Sequence, residues 1–338
     1  MSLSELPSAI DAVRAAGDSD DLAAAVDDAR YSLADVSGEL SAAEAGTLWS
    51  ELVIAAVGTT VALHEPPGDA DWHWYVTGSC GRGEGLPGSD VETLVAFDGD
   101  ESIGPKLRDV AGDVHQHLAE LGFAPDGNGA TANRARCCRS LGDWKSSIVR
   151  WTAEPAADRG VVMTGLVADA APVSRGSTGP AANPLADALA EQLATRPPVL
   201  TAMARDASVV RESIPTRLTI LTRPREGVSP KASVIDPAVR MARWNALTSG
   251  SSVRLSSERL ACASPSAFQP QDRETLGHAL DAASAIRWTI RRDRWVDGSF
   301  PDRVALTSLR PLDRARLRGA GRDVVGIQRV LRYLASFP

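Results

Sequence analysis

The segment from residue 78 to residue 92 reads GSCGRGEGLPGSDVE, a glycine-rich stretch that ends in two carboxylates. Aromatic and β-branched residues precede it in Trp72–Thr77 (WHWYVT) and follow it in Val91–Phe97 (VETLVAF), which predicts a strand on each side. The glycines predict a loop over residues 78–88. The segment therefore joins two neighbouring strands and places its acidic residues at the start of the second.

Two interpretations of this segment involve no metal. Gly83–Gly88 (GEGLPG) spells the GxGxxG pattern of dinucleotide-binding proteins, but that pattern needs a helix after its last glycine. A strand is predicted there instead, so this interpretation is disfavoured. The second interpretation is a purely structural turn, with Asp90 and Glu92 solvated at the start of the strand.

The third interpretation is a metal-dependent phosphoryl-transfer site. Asp90 and Glu92 are two residues apart, so on a strand both side chains project from one face and can share divalent cations. Gly78 and Ser79 would offer amide and hydroxyl groups to a triphosphate. Arg82, which is always protonated, would offset phosphate charge.

A third carboxylate would complete such a site. The apolar run Val161–Asp169 (VVMTGLVAD) predicts a third strand with Asp169 at its end. Metal-dependent phosphoryl transfer relies on carboxylates that place the cations, and a third one can also serve as a base. The alternative is that Asp169 only ends the strand in a turn.

The spacing of apolar residues divides the chain into three parts. Residues 1–65 form a predicted helical lead-in, residues 66–175 a small mixed-sheet domain and residues 176–338 an all-α bundle. The predicted class is therefore α+β, with a small sheet domain followed by a helical domain. Besides the lead-in, helices are predicted at Ile103–Leu121, Leu141–Trp151, Leu185–Leu193, Val234–Leu247, Arg273–Arg292 and Leu312–Leu334.

Charge limits the classes of partner. The 338 residues include 36 Lys and Arg and 43 Asp and Glu, for a formal net charge of −7. Nucleic acids and anionic membranes do not attract a protein of their own sign, so neither DNA nor a membrane is expected as a partner. Residues 286–338, however, contain 12 Arg and 5 Asp, a local charge of +7. That segment would hold an anion or form a solvated helix face.

Cysteine usage and the N-terminus indicate the compartment. The four cysteines, Cys80, Cys137, Cys138 and Cys262, show no CxxC pair and no disulfide-framework spacing. No uninterrupted apolar run reaches the roughly 20 residues that span a bilayer, and the N-terminus lacks the pattern of a secretory signal. Reduced thiols and a cytoplasmic protein are therefore expected.

Residues 78–92 resemble the G-S-x-G-R-G-E and S/T-D-x-D motifs of nucleotidyltransferases of the DNA polymerase β superfamily. The resemblance is to the members related to the N-terminal domain of PII uridylyltransferase, with their helical substrate-binding domain, and it extends over about residues 20–335. Further similar stretches are Gly122–Pro125, Ser140–Trp144, Trp151, Asp169–Val173, Ile235–Leu247 and Ser257–Leu260. A polymerase β-like fold is thereby implied for residues 66–175.

The resemblance also implies roles for single residues. The implied catalytic residues, which would also bind Mg²⁺ or Mn²⁺, are Asp90, Glu92 and Asp169. The implied nucleotide-binding residues are Gly78, Ser79, Arg82, Glu84 and Ser89. In the helical domain, Arg243 and Arg259 would contact the substrate or, alternatively, form salt bridges.

Three residues depart from the family pattern: Glu92 replaces the usual aspartate, Ala171 the usual arginine, and Cys80 a common glutamine. The resemblance implies Mg-dependent transfer of a nucleoside monophosphate from an NTP to a hydroxyl, with release of pyrophosphate. The acceptor is unknown, and in the PII relatives it is a tyrosine of a regulatory protein. Because of the departures, the alternative is a catalytically weakened or inactive nucleotide-binding regulatory pseudoenzyme. A weaker alternative is a helical scaffold with a relict loop.

Overall fold

A mixed four-stranded sheet lies in the first half of the chain, and helices dominate the second. The structure is a computed structural model and describes residues 5–64, 71–173, 182–195, 197–215, 227–295 and 298–336. Contacts divide the chain into two units: a first unit of Met1–Val149 with Leu166–Leu189, and a second unit of Arg150–Gly165 with Ala190–Pro338. The predicted α+β class is confirmed. The predicted borders near residues 65 and 175 lie outside the described residues.

Three helices form the lead-in, as predicted: α1 (Leu6–Ala15), α2 (Ser19–Asp35) and α3 (Ala42–Leu63). Side-chain caps fix where two of them begin. The Asp18 carboxylate accepts a hydrogen bond from the backbone N–H of Asp21 at the start of α2. Ser41 and Glu44 form a reciprocal capping box at the start of α3. Such caps satisfy backbone donors that have no partner within the helix.

Helix α3 is long and apolar enough to meet a length and composition criterion for a membrane span. Within the folded chain, 67% of that stretch is buried. Trp49 and Val57, for example, are only 4% and 0% exposed. Because protein covers its apolar surface, α3 serves as a core helix of the first unit.

The sheet has the strand order β3-β2-β1-β4. The strands are β1 (Trp72–Thr77), β2 (Glu92–Phe97), β3 (Cys138–Ser140) and β4 (Ala171–Pro172). Both strands predicted around the glycine-rich segment are therefore confirmed. β2 and β4 run antiparallel to β1, and β3 runs parallel to β2. Thr77 pairs with Glu92, so both ends of the glycine-rich segment lie at the same edge of the sheet.

The first three helices between these strands are α4 (Gly78–Gly81), a single turn, then α5 (Gly104–Glu120) and α6 (Leu141–Ala153). The last two confirm predicted helices. The chain leaves α5 through Gly122, whose φ of +80 suits a glycine after a helix. Trp144 of α6 donates a hydrogen bond from Nε1 to the carbonyl oxygen of Val95 at 2.8 Å, which fixes α6 on β2.

The prediction of a strand at Val161–Asp169 is wrong, because the structure has a helix there, α7 (Gly160–Ala168). A short apolar run rich in β-branched residues does not distinguish a strand from a buried helix. Its burial follows the helical period, and the most buried positions are Gly160, Met163, Thr164, Gly165 and Val167. The place in the sheet is taken by the short β4, so Asp169 follows a helix and precedes a strand.

The rest of the chain is helical, with α8 (Pro184–Leu193), α9 (Pro198–Ala207), α10 (Asp236–Thr248), α11 (Ser256–Ala261), α12 (Pro270–Arg292) and α13 (Pro311–Leu334). Two short strands, β5 (Gly227–Val228) and β6 (Val304–Ala305), pair with each other in antiparallel orientation. The predictions at α8, α10, α12 and α13 are confirmed within a few residues. Helices α9 and α11 have no counterpart among the predictions.

All four cysteines are free thiols. Cys80, Cys137 and Cys138 are buried, whereas Cys262 is partly exposed. Burial raises the pKa of Cys137 to about 11 and that of Cys138 to about 12. Both thiols therefore stay protonated at pH 7, and protonated thiols are poor nucleophiles.

Candidate active site

The glycine-rich segment begins with one turn of helix, α4, where the sequence predicts a loop. Gly78, its first residue, has a φ of +63, and a Cβ placed on it would lie 1.5 Å from Oε2 of Glu92. Only glycine fits at this position, because any side chain would meet both the strained backbone and the carboxylate. The carboxylate of Glu92 therefore lies directly against the backbone at the start of the turn.

The turn folds back against the backbone of Asp169. A Cβ on Gly81 would lie 2.4 Å from the carbonyl oxygen of Asp169 and 2.5 Å from that of Val76. The backbone N–H of Glu84 donates to the carbonyl oxygen of Ser79 at 2.8 Å and closes the turn. The turn, the end of β1 and Asp169 are thus packed together without intervening side chains.

Hydrogen bonds on both sides of Asp169 fix its backbone. The hydroxyl of Thr77 donates to the carbonyl oxygen of Leu166 at 2.6 Å, three residues before it. The side-chain amide of Asn183 donates to the carbonyl oxygen of Ala170 at 2.9 Å, one residue after it. Asp169 is therefore held at the edge of the sheet although it does not belong to a strand.

Arg82 forms ion pairs with two carboxylates in this region. Its Nη1 lies 2.6 Å from Oδ2 of Asp169, and its Nε lies 2.8 Å from Oε2 of Glu84. The side chains of Arg82 and Asp169 are only 9% and 2% exposed. Burial by itself lowers the pKa of Arg82, but the charges of Asp169 and Glu84 outweigh it and raise this pKa above its ordinary value. The guanidinium is therefore permanently charged and directed at protein carboxylates.

The three predicted metal ligands occupy different environments. Asp90 is exposed, Glu92 is half-buried and Asp169 is buried. Among the described residues, these three do not form a group whose ligand atoms all lie within 4.8 Å of one another. Ser89, next to Asp90, serves the loop itself, because its buried hydroxyl accepts a hydrogen bond from the N–H of Leu86 at 3.0 Å.

Helix α3 supports the loop through Ser50, to which no motif points. The Ser50 hydroxyl accepts a hydrogen bond from the N–H of Gly85 at 2.9 Å and donates to the carbonyl oxygen of Gly46 at 2.7 Å. Gly46 and Ser50 are four residues apart and share one face of the helix. Small residues are common along the whole of α3, so this spacing alone does not single out the contact in the sequence.

A buried histidine of α5 supports β2. Oγ1 of Thr93 lies 2.8 Å from Nε2 of His115 and accepts a hydrogen bond from the N–H of Ala132 at 2.9 Å. Burial lowers the pKa of His115 to about 4, so the imidazole is neutral at pH 7 and its Nε2 can accept the hydroxyl hydrogen. Thr93 directly follows Glu92, so these two bonds fix the strand beside that carboxylate.

A second acidic cluster lies at the opposite end of β1 and β2. Asp71, His73 and Asp98 are exposed, and their ligand atoms all lie within 4.8 Å of one another. Nε2 of His73 is 3.8 Å from Oδ2 of Asp71. A group of this composition can hold a divalent cation. Asp98 and Glu92 are separated by about 20 Å of extended strand, so the cluster does not share a cation with Glu92.

The two arginines predicted to contact substrate differ in burial. Arg259 is 1% exposed, and its Nε donates to the carbonyl oxygen of Val253 at 2.8 Å, so it holds backbone within the second unit. Arg243 of α10 is half-buried, and a Cβ on Gly165 would lie 3.3 Å from its Nη1. Arg243 therefore packs against α7.

Comparison with known families matches both halves of the chain. The model described as Putative nucleotidyltransferase DUF294 matches residues 30–158, and that described as Putative nucleotidyltransferase substrate binding domain matches residues 197–334. The first match contains Asp90 and Glu92, and the second contains Arg243 and Arg259. Asp169 lies in neither. No curated protein matches the chain.

Proposed function

The chain belongs to the DUF294 nucleotidyltransferase family, and from this we propose that it transfers a nucleoside monophosphate from an NTP to a hydroxyl group and releases pyrophosphate. One observation carries the proposal for this site: the carboxylate of Glu92 lies against Gly78. The turn after β1 and the acids at the start of β2 therefore share one edge of the sheet. A triphosphate bound along the turn would lie close enough to those acids for a divalent cation held by them to offset its charge, as phosphoryl transfer requires.

The donor set at this edge suits a hard divalent cation. Asp90 and Glu92 supply carboxylate oxygens, the ligands that Mg²⁺ and Mn²⁺ prefer. We propose that these two residues hold the cation and that Asp169 joins them only when its carboxylate leaves Arg82. When bound, the cation would neutralise phosphate charge during transfer.

The other residues of the site are proposed either to contact the nucleotide or to support the glycine-rich loop. Ser79 and the backbone N–H groups of the turn are proposed to bind the triphosphate. Arg82 and Glu84 would act indirectly, because their ion pairs hold the turn and Asp169 in place. Ser89 would support the loop through its bond to the backbone. Of the two arginines in the helical part, Arg243 is the one proposed to contact the acceptor, since Arg259 is buried on backbone.

The acceptor, the cellular location and the classes of partner are also proposals. A tyrosine hydroxyl of a regulatory protein is the candidate acceptor, by analogy with the PII relatives. A cytoplasmic location is supported by the four free thiols. The net charge of −7 supports the absence of DNA and membranes among the partners.

Pyrophosphate release tests the proposal. The 338-residue chain is incubated with ATP, GTP, CTP or UTP, with Mg²⁺ or Mn²⁺, and with hydroxyl acceptors that include tyrosine-bearing regulatory proteins. We expect release that Asp90→Asn abolishes, because the variant removes a cation ligand without changing size. Asp98→Asn is the matched control: it alters an exposed acid at the other end of β2 and should leave release unchanged.

A second candidate function is nucleotide binding without turnover, in a regulatory pseudoenzyme. The observation that favours it is the 2.6 Å ion pair that occupies the buried Asp169 carboxylate. It predicts a nucleotide-dependent rise in melting temperature with no pyrophosphate release under either cation.

The two variants also test where the site lies. Pyrophosphate release that survives Asp90→Asn but is lost in Asp98→Asn would contradict the assignment of the site to Asp90 and Glu92.

A further inference from the structure

The basic C-terminal helix borders a cavity in the second unit. The cavity has a volume of about 710 Å³ and lies between α13 and the irregular segment that follows α9, residues 209–215. Its polar and apolar lining residues include Ser213, Ile214, Arg318, Arg322, Val325 and Arg329. This volume falls in the range of about 300 to 1,000 Å³ that is typical of small-molecule sites.

Three arginines of α13 point to this cavity from one face of the helix. Arg318, Arg322 and Arg329 recur at intervals of four and seven residues, a spacing that aligns side chains on an α-helix. Arg322 and Arg329 are exposed, and in the part of the chain that the structure describes neither forms an ion pair. Arg316, two residues before Arg318, lies about 200° around the helix and so on the opposite face.

The wall opposite the arginines is held in place by buried contacts. Gln328 is 1% exposed, and its side-chain amide donates to the carbonyl oxygens of Ala207 and Val209, each at 3.0 Å. These bonds hold the end of α9 and the start of the irregular segment against α13. Further along, Ile214 lies against Gly321, where a Cβ would be only 2.6 Å from Cδ1 of Ile214. The cavity is therefore a built feature of the unit.

We propose that this cavity binds a small organic molecule that carries a phosphate group. Guanidinium groups pair with phosphate oxygens through two parallel hydrogen bonds, and several of them match a charge of −2. Ile214 and Val325 supply an apolar surface beside the arginines, which suits a ligand with an apolar body. The site uses residues of the second unit alone, so it does not depend on nucleotide transfer. The proposed site assigns a specific role to part of residues 286–338, the segment with a local charge of +7.

Isothermal titration calorimetry on the 338-residue chain tests this assignment. The probes are phenyl phosphate, inorganic phosphate and benzoate, titrated in the presence of EDTA so that divalent cations contribute nothing. We expect phenyl phosphate to bind more tightly than the other two, since it alone combines a phosphate with an apolar ring. The double variant Arg322→Gln/Arg329→Gln should weaken its binding by at least about tenfold, because it removes two charged hydrogen-bonding groups.

Matched variants distinguish binding in the cavity from attraction by the charge of the whole helix. Arg316→Gln removes the same charge from the opposite face of α13 and should change the affinity for phenyl phosphate by less than about twofold. Ile214→Ala should weaken the binding of phenyl phosphate but leave the binding of inorganic phosphate unchanged. Asp90→Asn should change the affinity for neither ligand. Both arginines are exposed, so their replacement should not open the core, and a melting curve of each variant would check this.

Several outcomes would overturn the proposal. One is the absence of phenyl phosphate binding at millimolar concentration. Another is an affinity that the double variant leaves unchanged or that Arg316→Gln reduces equally, which would indicate attraction by net charge alone. Tighter binding of benzoate would assign the cavity to carboxylates, and loss of binding in Asp90→Asn would move the site to the glycine-rich turn.

Discussion

Replacement of Arg82 by methionine should destabilise the first unit by several kcal/mol. The variant keeps the length of the aliphatic stem but leaves the carboxylate of Asp169, which is 2% exposed, without the cation now 2.6 Å away. Removal of one partner from a buried ion pair typically costs about 3 to 5 kcal/mol, because the remaining charge loses its counter-ion while it stays largely out of water. Glu84 adds less, since it is 21% exposed and water can replace the lost contact.

Urea unfolding followed by tryptophan fluorescence measures this cost. Trp49, one of the eight tryptophans that contribute to this signal, lies in the affected region, because its Cδ1 is 3.3 Å from the position of a Cβ on Gly85, in the same segment as Arg82. With a urea dependence of about 1 to 3 kcal/mol per molar, the loss should lower the unfolding midpoint by about 1 M or more. Arg82→Met/Asp169→Leu, which removes both charges, should recover much of the stability.

The matched control is Arg14→Met. Arg14 and Asp11 form an ion pair of the same 2.6 Å length, but their side chains are 49% and 70% exposed. An exposed pair contributes at most about 1 kcal/mol, so this variant should unfold close to the wild-type midpoint. If Arg82→Met cost no more than Arg14→Met, or if the double variant recovered nothing, the ion pair would not be what holds the turn against Asp169.

Two further predictions concern buried polar groups. The pKa of His115 is about 4 in the fold against 6.5 ordinarily, so the unfolded chain binds the extra proton and stability should fall by about 3 kcal/mol as the pH drops from 6.5 to 4. His115→Gln should flatten this dependence in urea unfolding and exposed His278→Gln should not; parallel curves for all three proteins would contradict it. Asn245, fully buried, makes three hydrogen bonds to backbone groups, so Asn245→Leu should cost about 3 kcal/mol or more by thermal unfolding. Asn128→Leu, at an exposed position, should cost under about 1 kcal/mol, and equal losses would refute the role of burial.

Local patterns predict most of the helices and the two central strands. Trp72–Thr77 and Glu92–Phe97 carry their strand preference in β-branched and aromatic residues, and α5 shows its period and its terminal glycine. The failure at α7 has the same origin, because its valines favour a strand locally while packing selects a helix. In a short apolar run, the local preference for a strand contributes less free energy than the burial that the run gains in the folded chain.

The candidate site is predicted only in its local parts. The spacing of Asp90 and Glu92 predicts that both lie at the start of a strand, and β2 does begin at Glu92. The approach of Glu92 to Gly78 is not predicted by that spacing, because it depends on how Thr77 pairs with Glu92 across the turn. The ion pair of Arg82 with Asp169 joins residues 87 positions apart, and no periodicity reports a contact of that range. The support that Ser50 gives to the loop is equally non-local, since it depends on how α3 packs.

The burial of the thiols has a practical use. Cys80, Cys137 and Cys138 are enclosed in the first unit, and two of them have a pKa far above neutrality, whereas Cys262 is partly exposed in the second unit. A maleimide dye at pH 7 reacts with accessible thiolate, so the native chain offers one attachment point without any mutagenesis. A single fluorophore at Cys262 would let an observer follow the helical half alone, during unfolding or titration with anions.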